Sequence, residues 1–103
     1  EYPWSLFIGQ LVIEKVLKAL YTQNIDNNVP KIHDLSRLAL LAHIELSKAD
    51  LDALDIVSSF NMNTRYPDIK LSFYKICTKE YTTKNIEIIR DLYACLLSLI
   101  KAN

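Results

Sequence analysis

Three short clusters of polar residues could carry chemistry in this chain. The first follows helical spacing near the amino end and comprises Gln10, Glu14, Lys15 and Lys18. The second is the step His33-Asp34, and the third is the run Arg65-Tyr66-Pro67-Asp68. Together they supply cations, carboxylates, an imidazole and a phenol ring. If the fold brings these groups together, they could bind a phosphate-bearing ligand.

The functional interpretation gives each cation a role. Lys15 and Lys18 would supply point charges, whereas the guanidinium of Arg65 offers a planar fork that suits a phosphate. Tyr66 would stack on a base. The amino end of the helix after Asp34 would add a partial positive charge. On this hypothesis the ligand is a nucleotide.

Each cluster also has a purely structural interpretation. The first could be a solvated helix face, with a Glu14–Lys18 pair worth about 0.2–0.5 kcal/mol. Asp34 could simply be a helix N-cap, worth about 1 kcal/mol, and His33 could make local contacts. The third cluster could hold an ion pair around a proline turn. The sequence leaves both interpretations open.

Helical periodicity predicts the elements that position these clusters. Helices are predicted over about 4–21, from an N-cap at Asp34 to about 46, from an N-cap at Ser47 to about 60, and from an N-cap at Thr82 or Thr83 to about 101. Residues 61–81 are predicted to form a long, irregular loop, which in a compact domain is usually functional. The first helix is apolar around most of its circumference, so we expect it at the centre of a bundle or in a dimer interface.

Composition sets the class of protein. A chain of 103 residues, half of them apolar and with one glycine, predicts a single all-α domain over residues 1–103. Twelve basic residues balance twelve acidic ones, which argues against general coating of nucleic acid. Cys77 and Cys95 form neither a disulfide framework nor a zinc motif, and this predicts a cytoplasmic protein without a metal. No stretch is long and apolar enough for a membrane span.

The three clusters together resemble the motifs of the HEPN family. The first matches its pattern of Gln, then Glu-Lys, then Lys-Ala-Leu. The step from Pro30 to Leu35 matches Pro-x-x-His-Asp-Leu, and residues 65–68 match Arg-Tyr-Pro-Asp. They occur in the family's order, and the resemblance spans residues 5–68 with a matching last helix.

The resemblance implies an up-and-down antiparallel bundle of about four helices that is usually dimeric. In bacteria and archaea such proteins often act with a minimal nucleotidyltransferase, and nucleotide binding has been proposed for the family. It implies no cofactor. The family normally begins with a further helix, which we expect to be missing here either because the protein is a shortened member or because the sequence is a piece of a longer one. The apolar face left open would then be covered by a second chain, which strengthens the expectation of a homodimer.

A ribonuclease is the alternative that the resemblance raises. One branch of the family consists of metal-independent ribonuclease toxins, paired with antitoxins, that carry an Arg-x(4–6)-His motif late in the domain. Here no histidine follows Arg65. Arg37 and His43 have the spacing, but they lie early and about 240° apart around a helix. We therefore predict a nucleotide- or partner-binding module rather than an enzyme, with His33 and Arg65 as the remaining ribonuclease pair.

Overall fold

The chain folds into helices throughout the part that the structure, a computed structural model, describes: residues 2–61 and 67–101. These residues form five α-helices and no strand, namely α1 (Tyr2–Asn24), α2 (Leu35–Leu41), α3 (Lys48–Ser58), α4 (Pro67–Ile76) and α5 (Lys79–Leu97). The predicted all-α class is confirmed. The structure has one helix more than the four that the sequence pattern predicts.

The two longest helices, α1 and α5, pack along each other and form the axis of the bundle. Gly9 lies under Ile89, and the side-chain amide of Gln23 donates to the carbonyl of Leu99, 3.1 Å away. The amino ends of α1 and α5 are therefore at the same end of the bundle. This is the arrangement expected for the first and fifth helices when each successive helix reverses direction.

One core joins these helices. α2 and α3 pack against α1 and against each other, and α3 also contacts α5. The buried apolar cluster contains residues from every helix. Its fully buried members include Leu6, Ile13, Leu17, Leu20, Leu35, Leu38, Leu54, Val57, Phe60 and Leu96.

On α1, two polar residues are buried and three large apolar residues are exposed, the opposite of what is usual for a helix in water. Gln10 and Glu14 are buried, whereas Trp4, Ile8 and Val12 are 54%, 56% and 40% exposed. The last three follow i, i+4 spacing, so they form one apolar strip on the outside of the helix. The face of α1 that carries Gln10 and Glu14 is therefore not solvated, and the opposite apolar strip is left uncovered by the described residues.

Two of the predicted N-caps are confirmed and the third is wrong. Asp34 caps α2, and Ser47 caps α3 by accepting from the backbone N–H of Asp50 at 3.1 Å. The last helix is capped not at 82 or 83 but by Thr78, whose hydroxyl accepts from Tyr81 N–H. The first two turns of α5 are mostly polar, so its apolar periodicity begins only at Ile86.

The second helix ends five residues earlier than predicted. After Leu41 the backbone N–H of His43 donates to Leu40 and that of Ile44 donates to Ala39, at 3.1 and 3.0 Å. This pair of hydrogen bonds is the Schellman ending of a helix, and it places His43 in the left-handed region with φ of 57°. Ile44 then packs on the core from outside the helix, which explains why it fitted the helical apolar pattern.

The predicted irregular segment contains helix α4. Phe73 is its one buried residue, and its ring lies 5.7 Å from that of Phe60. Ile69, Phe73 and Ile76 do follow the i, i+4, i+7 spacing of a helix, but the asparagines and the proline that precede them led to the prediction of a loop. Ile69, Leu71 and Ile76 remain exposed on its surface.

Candidate functional site

The carboxylate of Glu14 is the centre of a buried polar cluster on α1. Glu14 is 3% exposed, although it carries a charge. The side-chain amide of Gln10 donates to its Oε1 at 2.9 Å, and the ammonium of Lys18 donates to its Oε2 at 3.1 Å. These residues are one helical turn before and after Glu14, so the helix itself aligns them.

A third donor reaches Glu14 from the connection between α1 and α2. The Nδ1 of His33 lies 3.0 Å from Glu14 Oε1. His33 directly precedes Asp34, whose Oδ1 accepts from the backbone N–H of Arg37 and so caps α2. The cap fixes where the chain enters α2 and thereby holds His33 over the middle of α1.

These contacts keep Glu14 ionised. Burial raises the pKa of the carboxyl, but hydrogen bonds from His33, Gln10 and Lys18, together with the charge of Lys18, outweigh it. The pKa of Glu14 is therefore below its ordinary value of 4.5. A buried carboxylate with three donors is a stable anchor for the imidazole.

An ionised Glu14 fixes the hydrogen position on His33. A carboxylate can only accept hydrogen bonds, so the Nδ1 of His33 must carry the hydrogen. In the neutral imidazole, the Nε2 then keeps its lone pair. The side chain of His33 is 53% exposed, so the Nε2 is available to a ligand as an acceptor or a proton carrier.

Gln10 carries a buried oxygen without a partner. The side chain is fully buried, and its Oε1 has no hydrogen bond to any residue that the structure describes. Turning the amide over would place this oxygen against the Glu14 carboxylate, so the present orientation is the favourable one. An unpaired buried acceptor costs about 1–3 kcal/mol. The hydrogen bond from Gln10 to Glu14 is therefore made at the expense of some folding free energy at the Gln10 oxygen.

An open cavity of about 390 Å³ on the surface adjoins His33 at the amino end of α2 and the carboxyl end of α3. Of the residues that the structure describes, six line it, all polar: His33, Asp34, Asp55, Ser58, Ser59 and Asn61. The hydroxyl of Ser58 accepts from the backbone N–H of Leu35 at 2.8 Å, and Asp55 accepts from the hydroxyl of Ser36. These bonds tie α2 to α3 and give the cavity a fixed wall.

The structure brings together part of the predicted site. Gln10, Glu14, Lys18 and His33 form one cluster, and Asp34 lines the adjoining cavity. Lys15 is exposed, about 100° around α1 from Glu14. Asp68 is exposed in the first turn of α4 and is not among the residues that line the cavity. Arg65 and Tyr66 lie outside the described residues.

Sequence reasoning missed the part of the cavity that α3 and the residues after it provide. Asp55, Ser58 and Ser59 recur at three- and four-residue spacing near the end of α3, and Asn61 follows them. Such spacing puts side chains on one helix face, so the sequence does indicate a shared polar face here. The core residues Val57 and Phe60 of the same turn obscure that pattern.

Among the described residues there is no group of three His, Cys, Asp or Glu side chains that could hold a metal ion. In the same part of the chain, no helix is both long and apolar enough to cross a membrane.

Comparison with known proteins identifies the domain. The family model described as HEPN domain matches residues 1–99. No curated protein and no solved structure matches the chain significantly.

Proposed function

Since this chain belongs to the HEPN domain family, we propose that it is a binding module that takes a nucleotide at the cavity beside His33. The observation that supports the proposal is the pairing of His33 with the buried carboxylate of Glu14 at the edge of that cavity. A buried charge costs free energy, and groups in such environments cluster at functional sites. Here it orients one exposed imidazole.

The cavity suits a small polar ligand. Its volume is at the lower end of the range of about 300–1,000 Å³ that is typical of small-molecule sites. Its lining offers hydroxyl, carboxylate, amide and imidazole groups on a framework that the α2 cap and the α2–α3 hydrogen bonds hold rigid. A rigid polar lining favours specific recognition over loose association.

Calorimetric titration of ATP, GTP and a short RNA into the protein tests the proposal. The two histidines provide a matched pair of variants, since His33 borders the cavity whereas His43 lies in the turn after α2. We expect binding of at least one ligand, weakened about tenfold or more by His33→Ala, which removes a hydrogen bond worth about 1.5 kcal/mol. His43→Ala should leave the affinity unchanged.

The outcomes separate the site from the ligand. Binding that His33→Ala and His43→Ala affect equally would place the ligand elsewhere on the protein. Binding of none of the three ligands would refute the nucleotide hypothesis. Circular dichroism of each variant would confirm that a loss of binding is not a loss of folding.

The same proposal includes assembly as a homodimer through α1. The strip of Trp4, Ile8 and Val12 is an apolar surface that a second copy would remove from water. Sedimentation equilibrium should give a dimer for the unmodified protein and a monomer for Ile8→Glu. A monomer for both would contradict this assembly.

Co-expression with a nucleotidyltransferase from the same gene neighbourhood tests the second expected partner. A stable complex of the two chains that Ile8→Glu disrupts would assign the strip to that partner instead of to a second copy.

The ribonuclease alternative has one observation in its favour. A carboxylate-oriented imidazole with a free Nε2 is the arrangement that general bases use, and it could accept the proton of an attacking 2′-hydroxyl. Incubation of the protein with RNA in EDTA decides the question. Cleavage that His33→Ala abolishes would favour the enzyme, whereas we expect no cleavage above that of the variant.

A further inference from the structure

We infer that the cavity beside His33 receives the ribose end of the ligand, as a vicinal diol, and that the phosphates remain outside it. This inference rests on the proposed function and specifies which half of a nucleotide the protein recognises. It departs from the expectation, drawn from Lys15, Lys18 and Arg65, that phosphate recognition dominates.

The charge of the cavity argues against a phosphate inside it. Asp34 and Asp55 both line it, and no lysine or arginine of the described residues does so. Neither aspartate has an ion pair with a described residue. Like charges repel, and they do so more strongly near a protein surface than in bulk water. A phosphate in contact with Asp34 and Asp55 would therefore bind less favourably than an uncharged group.

The nearest cation of the cluster is already committed. The ammonium of Lys18 is bonded to Glu14 Oε2, and the side chain is 22% exposed. His33 likewise gives its Nδ1 hydrogen to Glu14. The positive charge of Lys18, which the sequence had suggested for binding a phosphate, instead neutralises the buried carboxylate of Glu14.

The hydrogen-bonding groups of the cavity are mainly acceptors. Asp34 uses Oδ1 for the backbone of Arg37, and Asp55 uses Oδ1 for the hydroxyl of Ser36, so each retains its Oδ2. In its neutral form His33 adds the lone pair of Nε2. The cavity thus calls for a ligand that presents several donors and no negative charge.

A ribose diol meets this requirement. Its two neighbouring hydroxyls donate in parallel, and acidic side chains are the groups that bind ribose hydroxyls in dinucleotide-binding proteins. The hydroxyl of Ser58, which accepts from Leu35 N–H, keeps its own hydrogen to donate to a ribose oxygen. The cavity of about 390 Å³ has room for a nucleoside-sized group.

The test compares ligands that differ only in the diol or the phosphates. The four ribonucleosides, their 2′,3′-dideoxy forms and ATP would be titrated by calorimetry into the whole chain. We expect at least one ribonucleoside to bind within about threefold of ATP. Its dideoxy form should bind about tenfold or more weakly, because it has no hydroxyls to donate to the carboxylates of Asp34 and Asp55.

Two variants on α3 make the assignment specific. Asp55→Asn removes the charge but keeps an oxygen to accept from Ser36, and it should weaken ribonucleoside binding about tenfold. Asp52→Asn is the matched control, because Asp52 is an exposed aspartate on the same helix that pairs with Lys48. It should leave the affinity unchanged, and thermal melts of both variants verify folding.

Several outcomes would overturn the inference. Tight binding of ATP with no binding of any nucleoside would keep the proposed function and reject the diol. Equal binding of the ribo and dideoxy forms, or equal effects of the two variants, would also reject it. Binding of free arginine in preference to every nucleoside would reassign the cavity to a cationic side chain. Binding of neither nucleosides nor ATP would refute the proposed function as well.

Discussion

The Nδ1 of His33 lies 3.0 Å from Glu14 Oε1, so a side chain in the middle of α1 orients the imidazole at the entrance to α2. The partners are 19 residues apart in sequence, and the capped start of α2 brings them together. Glu14 is buried and His33 is half exposed. The buried carboxylate therefore fixes the orientation of the imidazole at the edge of the cavity.

Replacement of Glu14 by Gln should destabilise the protein. The variant keeps the size of the side chain but loses the charge that Lys18 and His33 contact. We expect the free energy of unfolding to fall by about 1–3 kcal/mol in urea denaturation at neutral pH. Asp52→Asn breaks the exposed pair with Lys48 and should change it by less than about 0.5 kcal/mol. Equal losses in the two variants would contradict a special role for Glu14.

The contribution of Glu14 should depend on pH. Its pKa in the folded protein is below the ordinary value of 4.5, so the unfolded chain takes up a proton first as the pH falls. The stabilisation is therefore complete above pH 4.5 and is lost as the pH falls through the lower folded pKa. Urea denaturation over this range should show the difference between the unmodified protein and Glu14→Gln shrinking. A difference that stays constant down to about pH 3 would contradict this assignment.

Local signals in the sequence predicted much of the fold. Asp34 and Ser47 act as the N-caps that their types and positions indicated, because capping depends on the next three residues alone. Helix α4 escaped prediction although Ile69, Phe73 and Ile76 have helical spacing, because turn-forming residues precede it and only Phe73 is buried. A short helix whose apolar residues are mostly exposed is hard to tell from a loop by periodicity alone.

The candidate site was predictable only in part, for a related reason. Gln10, Glu14 and Lys18 follow helical spacing, so their alignment is a local property of α1. Whether that stripe faces water or the core depends on how α1 packs, and helical spacing does not give this. The side chains that α3 contributes to the cavity, such as Asp55, reach it through the α2–α3 contact, which is equally non-local.

The close approach of Ile89 to Gly9 should decide whether Gly9→Ala stabilises or destabilises the protein. A Cβ at position 9 would lie 2.6 Å from Ile89 Cδ1, so Gly9→Ala should cost about 1 kcal/mol, although alanine favours the helix. Ile89→Val removes that methyl. In the valine background, Gly9→Ala should therefore stabilise the protein by up to about 1 kcal/mol.

A double-mutant cycle from urea denaturation measures this coupling between α1 and α5. The informative result is the sign of the Gly9→Ala effect in the two backgrounds. If Gly9→Ala has the same effect in both backgrounds, the two helices move apart enough to accommodate the alanine methyl, and Ile89 is not the cause.

Replacement of His43 by Gly should stabilise the protein. His43 has a φ of 57°, and a left-handed conformation costs a residue with a Cβ about 1–2 kcal/mol. Glycine avoids this cost but loses about 0.4–1 kcal/mol through the greater freedom of the unfolded chain. A net gain of up to about 1 kcal/mol should raise the melting temperature by about 4–8 °C in circular dichroism. His43→Ala retains the strained Cβ and should give no rise, so equal gains in the two variants would show that the imidazole itself, and not the backbone, is unfavourable there.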